Sequence, residues 1–420
     1  MKAHGYRVGT TEQWWDQLPR AGEERDQVIT EARKAIEPWL SAVFQAEHFS
    51  LLAGSGLTIA VGYVAGAKAT NMDQIKFGTT HDKAIDAHAT AAAAKMNRGK
   101  PNIEDQLRSA LAVLDGLEVI DPKAAKDMRT AINTQLAQFL ESLLLTEKEI
   151  STGSTDEKRT TAASMLVSFL LSFASRAASR ERLHIFTTNY DRLIEHGCDL
   201  AGLRIIDRFV GGLNPLFRSS RIEVDVHYNP PGIRGEPRYL EGVVRLSKIH
   251  GSLDWHFNDQ SFQIQRKGLP FGAGKDHSEV PQSPIDTIMI YPNPAKDVET
   301  TAYPYADLFR DFAAASCRPN SVVVTYGYGF GDDHINRVLA DMLTIPSTHL
   351  VVIAYGLDDR LQGFLSRTGR SAQTSLLIGA HFGDLTNLVE QYLPKPSLDF
   401  ITTRMTDLLM NRPADKQPTG

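Results

Sequence analysis

Four short apolar runs in this chain each end on a turn of glycine or small polar residues, and that recurrence limits the fold more than any bulk property does. Residues 49–53 lead into Gly54-Ser55-Gly56-Leu57-Thr58, and residues 183–186 into Thr187-Thr188-Asn189-Tyr190-Asp191. Residues 243–249 lead into His250-Gly251-Ser252, and residues 322–325 into Tyr326-Gly327-Tyr328-Gly329-Phe330-Gly331-Asp332-Asp333-His334. Apolar, β-branched runs of this length read as buried strands. Further runs at 286–291, 349–355 and 375–380 read the same way, and helical patterns lie between several of them, at 191–201 and 334–343. Strands alternating with helices predict the α/β class with a doubly wound, mostly parallel sheet. Ligands of such sheets bind outside the carboxyl ends of the strands, so function is sought in these turns.

Two stretches interrupt the alternation. Residues 22–47 carry apolar side chains at helical spacing, with Pro38 as a point of kinking or division. From about 80 to 180 the pattern turns helical: an Ala-rich stretch at 84–96, then periodic segments at 103–117, 124–145 and 160–178, with a polar loop at 151–156 between the last two; the insertion is placed at 71–180. This predicts a large all-helical insertion within a sheet domain formed by 20–70 and 181–395, followed by a C-terminal helix and flexible tail at 396–420. The Gly- and Pro-rich stretches 211–242 and 266–285 predict long irregular loops.

Composition excludes several classes. The 420 residues carry a net charge of −5 with no block of Lys or Arg, which argues against nucleic acid as a direct ligand. Two cysteines, Cys198 and Cys317, make neither a disulfide framework nor a CxxC metal site, so no metal is expected. Residues 1–19 hold no apolar signal segment, and no run approaches the ~20 apolar residues of a membrane span. A cytoplasmic protein without membrane association is expected.

Each turn admits a structural and a chemical reading. Gly54 and Gly56 allow close backbone approach to a phosphate at a helix N-terminus, or an ordinary strand-to-helix turn. The third glycine of a full GxGxxG is replaced by Ile59, and Asp73 is only a loose match for a ribose-binding acid. Asn189 or Asp191 would each serve as a helix cap, yet one cap suffices and this turn offers two hydroxyls, an amide and a carboxylate. His250 is one of thirteen histidines, set apart by its place at a strand end before Gly-Ser. The 327–334 turn reads as a nucleotide-contacting loop or a glycine turn capped by Asp332 or Asp333. The segment 377–384, ending in Asp384, reads as the last sheet turn or the border of an adenine site.

In this order, Gly-Ser-Gly-Leu-Thr (54–58), Thr-Thr-Asn-Tyr-Asp (187–191), His-Gly-Ser (250–252) and 327–336 resemble the sirtuin superfamily, and more narrowly its bacterial anti-phage, NAD-hydrolysing branch. Tyr291-Pro292-Asn293-Pro294-Ala295-Lys296 also looks like that branch. The resemblance implies a Rossmann-like NAD site: Gly54, Ser55 and Gly56 cradle the pyrophosphate, with Thr58 and Thr188 beside them. It implies that Asn189 holds the nicotinamide ribose and orients water, that Asp191 bonds the carboxamide, and that neutral His250 is the base. Gly327, Tyr328 and Gly329 would meet the adenosine half, with Asp384 nearby. The four-cysteine zinc ribbon of sirtuin deacylases cannot be built here, and 61–66 lack their Asp and Arg. These features imply an NAD glycohydrolase, with NAD as substrate, acting as a defence effector that depletes cellular NAD. The alternatives are an NAD-dependent deacylase or ADP-ribosyltransferase, and a non-catalytic NAD-binding scaffold. A homo-oligomer is expected, and the helical block looks most like the sirtuin subunit that partners a HerA-type hexameric ATPase.

Overall fold

The computed structural model describes residues 4–20, 22–68, 74–95, 100–219, 224–228, 238–258, 260–290 and 304–395. Asp73, the 291–296 segment and the 396–420 tail lie outside the described residues. The largest sheet has nine strands: β1 (His4–Val8), β2 (Thr11–Trp15), β3 (His48–Ala53), β4 (His184–Thr187), β5 (Arg204–Ile206), β6 (Val243–Lys248), β7 (Ser321–Tyr326), β8 (His349–Ala354) and β9 (Thr374–Ile378). Their spatial order is β2-β1-β9-β8-β7-β3-β4-β6-β5. Every pairing from β9 to β5 is parallel, while β1 pairs antiparallel with both β9 and β2. The expected parallel sheet is therefore present, extended at one edge by an N-terminal hairpin that the sequence pattern does not reveal.

The sheet is doubly wound because alternate side chains feed two cores. Leu51, Val324, Val351 and Leu377 point to one face, and Leu52, Val323, Val352 and Leu376 to the other. The first core is covered by α1 (Glu23–Val43), α2 (Ser55–Ala65), α6 (Asp156–Ala174) and α7 (Leu193–Leu200). The second is covered by α8 (Tyr305–Ser316), α9 (Asp333–Met342) and α10 (Asp359–Thr368). α1 runs through Pro38 without a break.

Between β3 and β4 stand α3 (Asp82–Lys95), α4 (Ile103–Ile120) and α5 (Pro122–Thr152). Their apolar faces form a separate core that takes in Tyr190, Leu253 and Leu269 from the sheet side. α6 differs from the expectation that all of 71–180 stands apart. Its Leu166, Phe169, Leu170 and Phe173 lie fully in the sheet core, and Leu166 and Leu170 meet Gly197 of α7. Helical periodicity shows that a face is apolar but not what covers it.

After β6 the chain does not enter a helix. Gly251, at φ +89°, turns it directly into Gly251–Asn258, the long strand of a second, antiparallel sheet. That sheet has the order Ile288–Ile290, Gly251–Asn258, Gln263–Arg266, Leu216–Phe217, Phe209–Val210. Of the 286–291 run, Ile288–Ile290 thus joins this smaller sheet rather than the parallel one. Among the described residues, no helix is long and apolar enough to cross a membrane.

Candidate active site

From β3 the chain passes to β4 and the edge strand β5, comes back to β6 between them, and later crosses to β7 on the other side of β3. The carboxyl ends of β3 and β7 therefore flank the topological switch point, where open α/β sheets leave a crevice. Here the two glycine turns touch. Gly54 N–H donates to the Tyr326 carbonyl and Gly56 N–H to the Gly327 carbonyl, each at 3.0 Å. A Cβ on Gly54 would lie 2.5 Å from the Gly327 oxygen, and one on Gly56 2.5 Å from Gly327 Cα. Gly327 itself sits at φ +63°. Only glycine fits this contact.

This geometry amends the expected phosphate cradle. The N–H groups of Gly54, Gly56 and Leu57 are spent on protein carbonyls, the last on Gly54 at 3.0 Å. The glycines bring two backbones together. A phosphate at this helix N-terminus would be met by Ser55, which lines the neighbouring cleft.

That cleft, of about 550 Å³, brings together Gly54, Ser55, Thr58, Thr188, Asn189, Asp191, His250, Tyr328 and Gly329 from the ends of four strands, β3, β4, β6 and β7. Asn189 is buried. Its Nδ2 donates to the Gly54 carbonyl and to Thr58 Oγ1, both at 3.1 Å. The carbonyl Oδ1 is thus the atom positioned to accept from a ligand hydroxyl or water. The Thr58 hydroxyl in turn donates to Asp191 Oδ2 at 2.8 Å. Asp191 Oδ1 accepts from the Leu193 N–H at 3.1 Å, at the start of α7. Both Asp191 oxygens therefore brace the turn.

The turn is held from behind by charge. Arg192 forms a buried pair with Glu147 of α5 (2.5 Å), which also accepts from the Arg192 backbone N–H (2.8 Å). Lys248, at the end of β6, donates to the Asp191 carbonyl and pairs with Glu195 at 3.1 Å. Burial raises the Glu147 carboxyl pKa despite its arginine partner.

His250 is buried between two carboxylates. Nε2 lies 2.8 Å from Asp332 Oδ2, and Nδ1 lies 3.6 Å from Glu104 Oε1. Burial alone would lower the imidazole pKa, but the close carboxylates of Asp332 and Glu104 push it up to about 9. The same contacts hold both carboxyls below their usual range against the effect of burial. Two carboxylates this close favour the charged imidazole over the neutral one expected from sequence. Asp332 is fixed as the N-cap of α9, where its Oδ1 accepts from His334 N–H (2.9 Å) and Ile335 N–H (3.3 Å).

Tyr328 serves the loop more than the cleft. It is 7% exposed, and its hydroxyl lies 2.9 Å from Asn336 Oδ1. Asp384 lies in a second cavity of about 900 Å³, with Gly56, Tyr326, Gly327, Tyr355 and His381 among its lining. The touching glycine turns stand between the two cavities. Asp384 also caps a short helix through the Asn387 N–H at 2.9 Å.

Sequence reasoning missed Glu104, Tyr190 as its partner, and the brace of Glu147 and Lys248. Glu104 looks like a favourable acid in the first turn of a helix, and nothing local ties it to a histidine far along the chain. Asp332 was visible only as a cap.

Residues 183–372 match the family described as SIR2-like domain. The match spans β4 to the end of α10 and so covers Asn189, His250 and the 327–332 turn. It supports a place in the sirtuin-like superfamily, whose SIR2-like proteins use NAD and include NAD-dependent enzymes. No curated protein matches the chain.

Proposed function

We propose that the chain is an NAD glycohydrolase that releases nicotinamide and ADP-ribose. The observation that carries this reading is the convergence of Asn189, His250 and Ser55 in one cleft beside the switch point of a parallel sheet. The second cavity across the glycine contact offers room for the adenosine half of a dinucleotide. The SIR2-like match supports NAD as the ligand.

Cleavage adds water across the nicotinamide–ribose bond. The ring nitrogen keeps the bonding electron pair and leaves as neutral nicotinamide, while C1′ of the ribose gains hydroxyl and one proton is released. Positive charge develops on the ribose as the bond lengthens. Glu104, His250 and Asp332 together carry one net negative charge when the imidazole is protonated, which favours that developing cation. Asn189 Oδ1 orients the ribose or the water. A base role for His250 begins only when a ligand hydroxyl takes the place of one carboxylate.

Two cysteines cannot supply the four-cysteine zinc ribbon of the deacylases, which favours hydrolysis over acyl transfer. Defence by NAD depletion, a cytoplasmic location, a homo-oligomer and a HerA-type ATPase partner belong to the same reading; the motif order and the helical block support them. The test is product analysis of NAD incubated with the purified chain, with and without an acetyl-lysine peptide. Equal nicotinamide and ADP-ribose without peptide is expected. Nicotinamide release only with the peptide would make the chain a deacylase, and NAD binding without turnover would make it a scaffold.

A further inference from the structure

His250 and the Asn189 turn belong to the sheet domain, but Glu104 belongs to the inserted helices. It stands in the first turn of α4, whose start is fixed by a reciprocal capping box. Asp105 N–H donates to Asn102 Oδ1 (3.0 Å), and Asn102 N–H donates to Asp105 Oδ2 (3.2 Å). Ile103 is buried in the insertion core, and Glu104 faces the cleft. One oxygen, Oε1, accepts from the Tyr190 hydroxyl at 2.6 Å and stands 3.6 Å from His250 Nδ1. A single carboxylate thereby touches both motifs that define the site. Tyr190 is in turn packed edge-on against Phe139 of α5, with ring centres 5.8 Å apart.

We propose that Glu104 is a positioning residue acting through His250, so that the inserted helices complete the site and set the orientation and charge of its imidazole. The inference rests on the reading of the cleft as an NAD-cleaving site. The groups that face His250 come from four elements. Asp332 comes from the start of α9, Glu104 from α4, Tyr190 from the turn after β4, and Phe309 from α8. His334 lies against Phe309, and Tyr305 and Asp332 act on Tyr190. Of the two carboxylates, Asp332 is locked by its capping duty. Glu104 is placed by its helix and by Tyr190, so displacement of α4 removes its charge from Nδ1 while Asp332 stays on Nε2.

The test is an NMR titration of the full chain labelled at histidine, with the His250 signal assigned by its loss in His250→Gln. In Glu104→Gln the titration midpoint of His250 is expected to fall by about one unit or more, the effect of losing one nearby opposite charge. Glu104→Asp keeps the charge and is expected to recover part of the shift. Tyr190→Phe removes the hydroxyl that holds Glu104, and a smaller shift in the same direction is expected. The pH profile of nicotinamide release should move with the midpoint, with kcat affected more than KM. An unchanged midpoint in both Glu104→Gln and Tyr190→Phe overturns the proposal, whether or not NAD is cleaved. A shifted midpoint in protein that cleaves no NAD upholds the coupling and contradicts the glycohydrolase reading instead.

Discussion

At the scale of single residues, the charge on His250 governs how the site depends on pH. Its pKa is raised above the unfolded value of ~6.5 to about 9, so its contribution to stability is full below ~6.5 and is lost as pH rises through about 9. Glu104 and Asp332 are depressed, so their contribution is present above the unfolded carboxylate values and lost as pH falls through the folded ones. Between pH 7 and 10, the melting temperature of the wild type should fall more steeply than that of His250→Gln. Parallel slopes would show that the imidazole is not paired as described. Asn189 and His250 were legible in the sequence because each follows an apolar run at a strand end. Glu104 was not, because helical periodicity says where a side chain points on its own helix and nothing about a distant motif.

At the scale of elements, the contact between the two glycine turns leaves no space for a side chain. Gly56→Ala places its Cβ against the Gly327 backbone, and overpacking of this kind costs about 1–3 kcal/mol. Urea unfolding should show that loss, and an unchanged midpoint would mean that the turns do not touch. The brace behind the Asn189 turn gives a larger effect. Glu147→Ala leaves the Arg192 guanidinium buried without its carboxylate, a change that costs about 3–5 kcal/mol. The same variant should lower nicotinamide release, because Glu147 also holds the Arg192 N–H. The parallel strands were readable because runs such as Val322-Val323-Val324 are buried on both faces. The N-terminal hairpin was not, since the exposed edge strand Thr11–Trp15 is mostly polar. Strands of two to four residues in the second sheet carry too few positions to show a period.

At the scale of the whole molecule, the helices between β3 and β4 are more than an appendage. α3, α4 and α5 share a core with Tyr190 and Leu253, while α6 belongs to the sheet itself. The motif-bearing half carries Asn189, His250 and Asp332, and the helices α4 and α5 supply Glu104 and Glu147. Fold class and the ordered motifs were visible in sequence because local patterns encode them. The joining of insertion to site was not, because it depends on which apolar faces meet.

Asn189 is the residue on which the proposed cleavage of NAD most directly depends. Nicotinamide release should be measured for the wild type and for Asn189→Ala at saturating NAD, with and without candidate partner proteins. Release by the wild type is expected, with a loss on the order of 10²-fold or more in the variant, the scale of removing one group that stabilises or orients in a transition state. Equal release by the two proteins would contradict this dependence.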